Sequence, residues 1–368
     1  MVDLAQFHNN GDHLDLQWSD GRLDRVFAVW LRDNSPSPQA RHPNGQKLFD
    51  ITDLAPRVAL ADVQNVNGAL HIRFAPDGHE ANFGLEWLRE RAAPVDLHAH
   101  RRLWGAELAR AMPAHGYETV CTDSAAKCRW LADLRDLGFT LVTGVPTEPG
   151  TLIEVAEQFG FVRETNYGRF FEVRSDPKPI NLANTGLGLS CHTDNPYRDP
   201  VPGLQLLHCL VSENDGGNSV VVDGYKAASL LLDQYPADFA LLTRHAVPFQ
   251  FNSAGTALEA RARLITLDDR GAVTEVRFNN RSISTFDLPA EVMPDFYRAY
   301  RRFAEILQRP ELEVTFKAGP GDLFIVDNQR VLHGRKTVGG SGRRHLQGCY
   351  ADKDSLLSTL RVLERELI

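Results

Sequence analysis

The sequence has little of what marks a disulfide-stabilised, membrane-spanning or nucleic-acid-binding protein. Its five cysteines, among 368 residues, are odd in number and widely separated, so a disulfide framework is not expected. No apolar run approaches the ~20 residues that span a bilayer, and the first residues lack the basic and then apolar pattern of a signal peptide. A formal net charge of −8 argues against nucleic acid as a partner. These absences favour a cytoplasmic protein without a membrane or nucleic-acid partner.

The chain is long enough for one large or two medium domains. Near its start, short segments such as His13–Trp18 and Ala69–Phe74 alternate polar and apolar residues, and turn signals follow them. We therefore predict a small β-rich domain over residues 1–95. A connecting segment over 96–120 and a larger domain over 121–368 complete the predicted organisation.

The larger domain begins with helical spacing and continues with apolar strands. Residues 125–137 and 152–159 are predicted helices, and residues 138–144 form a predicted buried strand between them. Further strands are predicted at 204–210, 220–222, 312–317 and 323–326, with a tight turn at 320–322. Many short strands joined by Gly and Pro turns are typical of a jelly roll. The expected fold is mainly β with flanking helices (α+β), with a jelly-roll core.

The stretch around His192 and Asp194 is the strongest candidate for chemistry. Residues two apart on a strand point to the same face, so both side chains can reach one metal ion. With His333 as the third ligand they would make the facial triad of non-haem Fe(II) oxygenases. A bare H-x-D pattern is more often a solvated turn or a core histidine. The pair His13 and Asp15 shows how easily the pattern occurs alone.

Arg344 lies in a segment whose alternation places it on one face with Leu346 and Gly348. An arginine that faces inward beside a metal needs an anion, since a buried unpaired charge is costly. A dicarboxylate that chelates the metal at one end would supply that partner at the other. The alternative is an ordinary ion pair between Arg344 and a surface carboxylate.

Four motifs occur in order along the chain. They are H-T-D at 192–194, G-G-x-S at 216–219, D-N-x-R-V-L-H-G at 327–334 and R-H-L-Q-G-C-Y at 344–350. With them the chain resembles the γ-butyrobetaine/trimethyllysine hydroxylase family of Fe(II)- and 2-oxoglutarate-dependent oxygenases. The resemblance covers nearly the whole chain, including V-W-L-R-D-N at 29–34 in the small domain.

The resemblance implies a double-stranded β-helix with iron on His192, Asp194 and His333. It also implies that 2-oxoglutarate is bound by Arg344 and Ser219, in a pocket that Asn181 and Leu207 line. The family converts 2-oxoglutarate and O2 to succinate and CO2 while it hydroxylates an unactivated C–H bond of a small molecule. Ascorbate as reductant and a homodimer are further expectations from the family.

The family's small domain often holds zinc through three cysteines and a histidine. Here the cysteine positions are Ser35, Ser37 and Ala40, and His79 alone matches. Zinc requires four such ligands, so no zinc is predicted. The small domain is then expected to serve packing or dimerisation.

The substrate positions also depart from the family. Carnitine-forming members hold a trimethylammonium group in an aromatic cage, a cation–π site. Tyr167, Phe171 and Tyr350 match aromatic positions of the cage. Asn184 and Asn195 replace tyrosines at two further positions, and Tyr197 lies nearby. We predict a rearranged cage for a quaternary ammonium group. The alternative is that these aromatics are simply core.

At the anion end, the family's N-N-A becomes Asn279-Asn280-Arg281. A guanidinium suits a more highly charged anion than a carboxylate. Asn280 and Arg281 therefore resemble the anion site of 2-(trimethylamino)ethylphosphonate hydroxylases, which would hydroxylate the carbon bearing phosphorus in phosphonate degradation. If Arg281 instead points to solvent, γ-butyrobetaine is the expected substrate. A non-enzymatic jelly-roll binding protein and a zinc hydrolase are rival classes.

Overall fold

The computed structural model describes residues 3–93, 96, 98–174, 188–213, 215–339 and 342–367. The chain divides into two compact units, residues 1–99 and 100–368. No helix among the described residues is long and apolar enough to cross a membrane.

The first unit contains two three-stranded antiparallel sheets, β1-β2-β3 and β4-β5-β6. Its elements are β1 Leu4–Asn9, β2 His13–Trp18, β3 Leu23–Phe27, α1 Ala28–Asp33, β4 Ala59–Val66, β5 Ala69–Ala75, β6 Glu80–Gly84 and α2 Leu85–Ala92. The alternation predicted for β2 and β5 is present, since every second side chain of each strand is buried in one shared core.

Two stretches of the β-rich first unit continue from a strand into a helix. The apolar segment 26–31 leaves β3 at Phe27 and continues as helix α1, and residues 83–88 leave β6 and enter α2. Ala28 and Leu31 are three residues apart and face the same core, which is helical rather than strand spacing. At the former zinc positions, Ser35 Oγ lies 2.8 Å from His79 Nε2.

The second unit is built on a six-stranded sheet, β7-β8-β19-β11-β22-β9, and a four-stranded sheet, β10-β20-β13-β18. Its strands are β7 Ala114–Gly116, β8 Phe139–Thr143, β9 Phe171–Arg174, β10 Leu189–His192, β11 Leu204–Ser212, β12 Asp215–Gly216, β13 Ser219–Asp223, β14 Val247–Ser253, β15 Thr256–Ala262, β16 Ile265–Leu267, β17 Val273–Val276, β18 Val314–Phe316, β19 Leu323–Asp327, β20 Val331–Arg335, β21 Val338–Gly339 and β22 Arg344–Ala351. Its helices are α3 Tyr117–Thr122, α4 Ser124–Leu137, α5 Thr151–Glu157, α6 Gly224–Gln234, α7 Pro236–Arg244, α8 Met293–Leu307 and α9 Lys353–Glu366.

Apolar side chains from both sheets meet in one core, to which Phe139, Leu207, Val221 and Phe324 belong. The other face of the six-stranded sheet packs against α4, α5 and α9, while α6, α7 and α8 form a core with residues of the four-stranded sheet. The predicted class, a jelly roll flanked by helices, is therefore confirmed. The segment 96–120 contributes β7, which pairs in parallel with β8.

The tight turn at 320–322 lies between β18 and β19. It does not join two strands of one sheet, because β18 pairs with β13 while β19 pairs antiparallel with β8 and β11. The turn instead carries the chain from one sheet to the other. Gly321 permits this turn with a φ of +89°.

A buried ion pair ties the start of α6 to the strand that carries His333. Arg330 and Asp223 are 1% and 0% exposed, and the Arg330 Nη2–Asp223 Oδ2 distance is 2.8 Å. Burial opposes the charge on Arg330, but the Asp223 carboxylate outweighs it and raises the pKa of the guanidinium. The guanidinium also donates to the carbonyls of Asp136 and Arg102, so its N–H groups are largely satisfied.

Asp223→Asn should lower the free energy of unfolding by about 3–5 kcal/mol, because it leaves the buried Arg330 charge uncompensated. Urea denaturation followed by circular dichroism measures the change. Asp287→Asn is the matched control, since Asp287 pairs with Arg261 on the surface. A denaturation midpoint for Asp223→Asn that equals that of the control would contradict the prediction.

Candidate active site

Two paired strands bring the three predicted metal ligands together. His192 ends β10 and lies opposite His333 of β20 in antiparallel register. Asp194 lies two residues beyond β10, and its Oδ1 is 3.2 Å from His192 Nε2 and 3.9 Å from His333 Nε2. Among the described residues, His192, Asp194 and His333 form the group of three metal-ligating side chains, and their ligand atoms lie within 4.8 Å of one another. The strand pairing, rather than H-x-D alternation within one strand, creates the site.

Hydrogen bonds orient the donor atoms of His192 and Asp194 towards the same point. The His192 Nδ1 lies 2.9 Å from the Ser190 carbonyl, so it carries the proton and leaves the Nε2 lone pair facing Asp194. The Asp194 Oδ2 accepts bonds from Gln205 and Tyr350, which leaves Oδ1 towards the imidazoles. Two imidazole nitrogens and one carboxylate oxygen, with further positions open, are the donor set that suits Fe(II). The residues present therefore fit the metal.

The electrostatics of the triad favour the protonation states that metal binding needs. Burial alone would raise the pKa of Asp194, but its contacts with the two imidazoles and the hydrogen bond from the Tyr350 hydroxyl hold that pKa well below its usual value. Burial, His192 and Arg281 together lower the pKa of His333 to about 3, despite the opposing carboxylate of Asp194. An ionised carboxylate beside a neutral imidazole can bind a divalent metal without first losing protons.

The other H-x-D pair is placed differently. His13 and Asp15 lie on β2, where His13 contacts Asp12 at 2.5 Å and Asp15 pairs with Arg25. They do not belong to a three-ligand group among the described residues. The pair is thus a surface charge cluster.

The triad lines a cavity of about 520 Å³ that is also lined by cationic side chains. Arg344 and Arg335 both line this cavity, and Arg335 lies opposite Ser219 in the pairing of β20 with β13. Burial, with the charge of Arg335, lowers the pKa of Arg344 to about 10. No ion pair joins Arg344 to a carboxylate among the described residues, so the surface-pair alternative for Arg344 is not seen. The partly buried guanidinium of Arg344 therefore favours an anion in this cavity.

The remaining cosubstrate residues are placed as follows. Ser219 and Leu207 both line the cavity. Gly216 and Gly217 have φ of +72° and +66°, which allows the tight turn that leads Ser219 into β13. Asn181 lies outside the described residues, as does Asn184 of the predicted cage.

A group of aromatic rings also lines the cavity, and we call it the aromatic wall. Its members are Tyr167, Phe171, Tyr197, Phe251 and Tyr350. Ring centroids are 5.3 Å apart for Phe171 and Tyr350, and 6.2 Å apart for Tyr167 and Phe171. Phe251 completes the group, with its centroid 5.0 Å from that of Tyr197 and 6.1 Å from that of Tyr167. The sequence analysis missed Phe251, which lies on β14 outside every motif. The alternation of Phe249 and Phe251 predicts a strand but does not indicate a cavity.

Asn195 meets this group through a hydrogen bond. The Tyr197 hydroxyl donates to Asn195 Oδ1 at 2.6 Å, and the Tyr167 hydroxyl lies 3.0 Å from the Tyr197 hydroxyl. With its oxygen used in this way, the buried Asn195 side chain has N–H donors without a hydrogen-bond partner among the described residues, and such donors do not attract a cation. Asn195 also has a φ of +53°, a conformation that asparagine tolerates better than most residues. Its observed contact is with the tyrosines of the wall.

The predicted anion pair is divided between two cavities. Asn280 Oδ1 accepts a hydrogen bond of 2.8 Å from the Tyr300 hydroxyl, and Asn280 lines a neighbouring cavity of about 790 Å³ beside α8. Arg281 lines both cavities. Arg281 is exposed to solvent over part of its length, as the γ-butyrobetaine alternative expects, but partial burial lowers the pKa of its guanidinium while Asp194 opposes that change. The structure thus places Arg281, but not Asn280, on the cavity of the metal ligands.

The fold and the site together define a class. A jelly roll with a two-histidine, one-carboxylate triad and an arginine-lined anion site is the architecture of the Fe(II)- and 2-oxoglutarate-dependent oxygenases. When bound, Fe(II) and 2-oxoglutarate supply the activation of O2 and the oxidation of a C–H bond. The protein residues supply the ligands, the anion site and a cavity that limits access of water.

Comparison with known proteins identifies the family. Residues 97–350 match the model of the taurine catabolism dioxygenase TauD, TfdA family, and residues 5–89 match the gamma-butyrobetaine hydroxylase-like N-terminal model. The chain belongs to this TauD, TfdA family, within its gamma-butyrobetaine hydroxylase-like members, and is a 2-oxoglutarate-dependent dioxygenase. The binding-protein and zinc-hydrolase alternatives find no support among its relatives.

Named relatives resemble the chain over almost its whole length. It is 37% identical to a gamma-butyrobetaine dioxygenase of Pseudomonas sp. strain AK-1, over 98% of this chain and 96% of that protein. It is 32% identical to the human gamma-butyrobetaine dioxygenase, over 97% and 96%. A mitochondrial trimethyllysine dioxygenase of Gallus gallus is 31% identical, over 96% and 87%. Among solved structures, an asparagine oxygenase shares the fold, with a TM-score of 0.50 and 18% identity over 64% of this chain and 82% of that one.

Gly334→Ala should weaken metal binding, because β10 and β20 approach too closely at this point for a side chain. A Cβ on Gly334 would lie 2.5 Å from the Leu189 carbonyl oxygen and 3.0 Å from the Cys191 nitrogen. The strands must move apart, which separates His192 from His333. We expect the Kd for Co(II), measured by calorimetry, to rise about tenfold or more. Gly84→Ala, where a Cβ meets open space, should leave it unchanged; equal Kd values in both variants would refute the argument.

Arg344→Gln should raise the Kd for 2-oxoglutarate about thirtyfold or more, the effect of losing roughly 2 kcal/mol from a desolvated charge pair. Arg343→Gln is the matched control, since the neighbouring Arg343 side chain is exposed and pairs with Glu213. Calorimetric titration of each Mn(II)-loaded variant with 2-oxoglutarate gives the two constants. Unchanged affinity in Arg344→Gln would remove Arg344 from the cosubstrate site.

Proposed function

We propose that this dioxygenase hydroxylates 2-(trimethylamino)ethylphosphonate at the carbon bearing phosphorus, as a step of organophosphonate degradation. The observation that carries the proposal is Arg281, a guanidinium on the cavity that also holds the metal ligands and the aromatic wall. Ascorbate as reductant, a homodimer and a cytoplasmic location accompany the proposal as expectations from the resemblance.

The aromatic wall supports a quaternary ammonium group at one end of the substrate. A trimethylammonium group has no N–H donors, so it binds to ring faces rather than to hydrogen-bond acceptors. The rings of Tyr167, Phe171, Phe251 and Tyr350 lie within one connected cluster on the cavity. The faces of these rings attract a cation.

Arg281 supports an anion at the other end. The guanidinium interacts electrostatically with both Asp194 and His333, which puts it near the metal ligands. A phosphonate offers three oxygens and a higher charge than a carboxylate, and guanidinium binds such groups through two parallel hydrogen bonds. A phosphonate held there would bring its attached carbon close to the metal site. Oxidation at that carbon would follow from binding of the phosphonate to Arg281, beside the metal ligands.

γ-Butyrobetaine is the second candidate, and the names of the relatives are consistent with it. Two of the similar proteins are named gamma-butyrobetaine dioxygenases, and they match the chain over almost its full length. This substrate has the same trimethylammonium group with a carboxylate at its far end. The two candidates therefore share the aromatic wall and differ in how much they depend on Arg281.

Succinate formation with each substrate is the direct comparison. The iron-loaded protein is supplied with 2-oxoglutarate and O2, and the 1-hydroxy phosphonate or carnitine is measured by mass spectrometry. A kcat/KM for the phosphonate at least tenfold above that for γ-butyrobetaine supports the proposal. The reverse order identifies a carnitine-forming enzyme. If neither compound stimulates succinate formation, the substrate proposal fails.

Arg281→Ala should lower kcat/KM for the phosphonate by about thirtyfold or more, because a charge-assisted pair of about 2 kcal/mol or more is lost. The loss for γ-butyrobetaine should be several times smaller. Arg301→Ala is the matched control, since Arg301 is exposed on α8, pairs with Glu305 and does not line the metal cavity. Equal losses for the two substrates in Arg281→Ala would show that Arg281 does not distinguish the anions.

A further inference from the structure

We infer that Gln205 and Tyr350 act as a pair of positioning residues that determine which oxygen of Asp194 binds the metal. Gln205 lies on β11 and Tyr350 on β22, and the two residues are directly opposite in the antiparallel register of these strands. Both side chains line the metal cavity. We call this pair the carboxylate clamp.

Both donors of the carboxylate clamp reach the same acceptor. Gln205 Nε2 lies 2.6 Å from Asp194 Oδ2, and the Tyr350 hydroxyl lies 2.8 Å from that same oxygen. Gln205 is 2% and Tyr350 is 4% exposed, so solvent does not compete with these bonds. The Oδ2 lone pairs are occupied, and Oδ1 is the oxygen that faces His192 and His333.

The main chain of Asp194 is held independently of its side chain. Asn328 accepts from the Asp194 N–H at 2.7 Å through its Oδ1 and donates to the Asp194 carbonyl at 3.0 Å through its Nδ2. With the backbone fixed at both polar groups, the remaining freedom of Asp194 is rotation of its carboxylate. The carboxylate clamp removes that freedom.

The coordination chemistry explains what this restraint achieves. A carboxylate can bind a metal through one oxygen or through both. If Oδ2 joined Oδ1 on the ion, one more position of an octahedral site would be filled by protein. By holding Oδ2 away, the carboxylate clamp keeps three positions open for cosubstrate and dioxygen, as the facial triad requires.

Gln205 is difficult to explain as an ordinary core residue. It interrupts the apolar run of β11, and a buried amide is costly unless its hydrogen bonds are made. Its Oε1 is buried and has no hydrogen-bond partner within the described ranges. The bond from its Nε2 to Asp194 is therefore the contact that accounts for an amide at this position. Phenylalanine at position 350 would supply the ring of the aromatic wall equally well. The hydroxyl of Tyr350 is therefore explained by its bond to Asp194.

Metal binding without substrate or cosubstrate tests the inference. Each variant, Gln205→Met and Tyr350→Phe, should raise the Kd for Co(II) about tenfold, and the double variant more than either, as expected when groups that orient a ligand are lost. The visible ligand-field bands of bound Co(II) should also change, because the released Oδ2 can replace a bound water on the ion and alter its coordination geometry. Tyr350→Phe keeps the ring, so a folding defect in Gln205→Met would not remove the test.

Leu206→Met is the control, since Leu206 lies on the same strand but packs into the opposite core. It should leave the Kd and the Co(II) spectrum unchanged. If the double variant keeps its thermal midpoint and binds Co(II) with the parental Kd and spectrum, the inference is wrong. Because no quaternary ammonium compound is present, this outcome is independent of the substrate proposal. A weakened Kd with unchanged bands would also refute the positioning role, because loss of affinity without a change in coordination is a general destabilisation of the site.

Discussion

The cavity of the second unit is organised around one partly buried carboxylate, that of Asp194. An anion inside a protein is tolerated only where charges and hydrogen-bond donors surround it. Asp194 receives these from four directions: His192, His333, Gln205 and Tyr350. These partners come from strands of both sheets, β10 and β20 in one and β11 and β22 in the other. The same carboxylate thus joins the two layers of the jelly roll and defines the point where a metal binds.

The rest of the cavity follows from this charge distribution. A metal ion of charge +2 would outweigh Asp194, and the arginines at 281, 335 and 344 already make the surrounding cavity cationic. Anionic ligands are therefore favoured on two sides of the metal, and the aromatic rings offer the third side to a cation. A substrate with opposite charges at its two ends can occupy such a cavity in one orientation. Orientation in turn decides which C–H bond lies next to the metal.

Site residues that are recognised by their type and motif were predicted well from the sequence. Residues whose role depends on where the side chain points were predicted less well. The jelly roll, the helices near 125–137 and 152–159, and the grouping of the metal ligands could be predicted because motifs and periodicity carry that information. The absence of Asn280 from the metal cavity could not be predicted, because neighbouring residues in a turn can point in different directions. Phe251 was missed for a related reason. Its strand gives no local sign that one of its faces reaches the cavity of a distant motif.

Tyr350 combines two duties in one side chain, since its ring forms part of the aromatic wall while its hydroxyl bonds to Asp194. This sharing restricts how the family can diversify. A replacement of Tyr350 that reshapes the aromatic wall also removes a hydrogen bond to Asp194. Such a change would weaken the metal site even where the new wall suits another substrate. Adaptation to new substrates should therefore accumulate at Phe251 and Arg281, which touch the cavity but do not bond to the metal ligands.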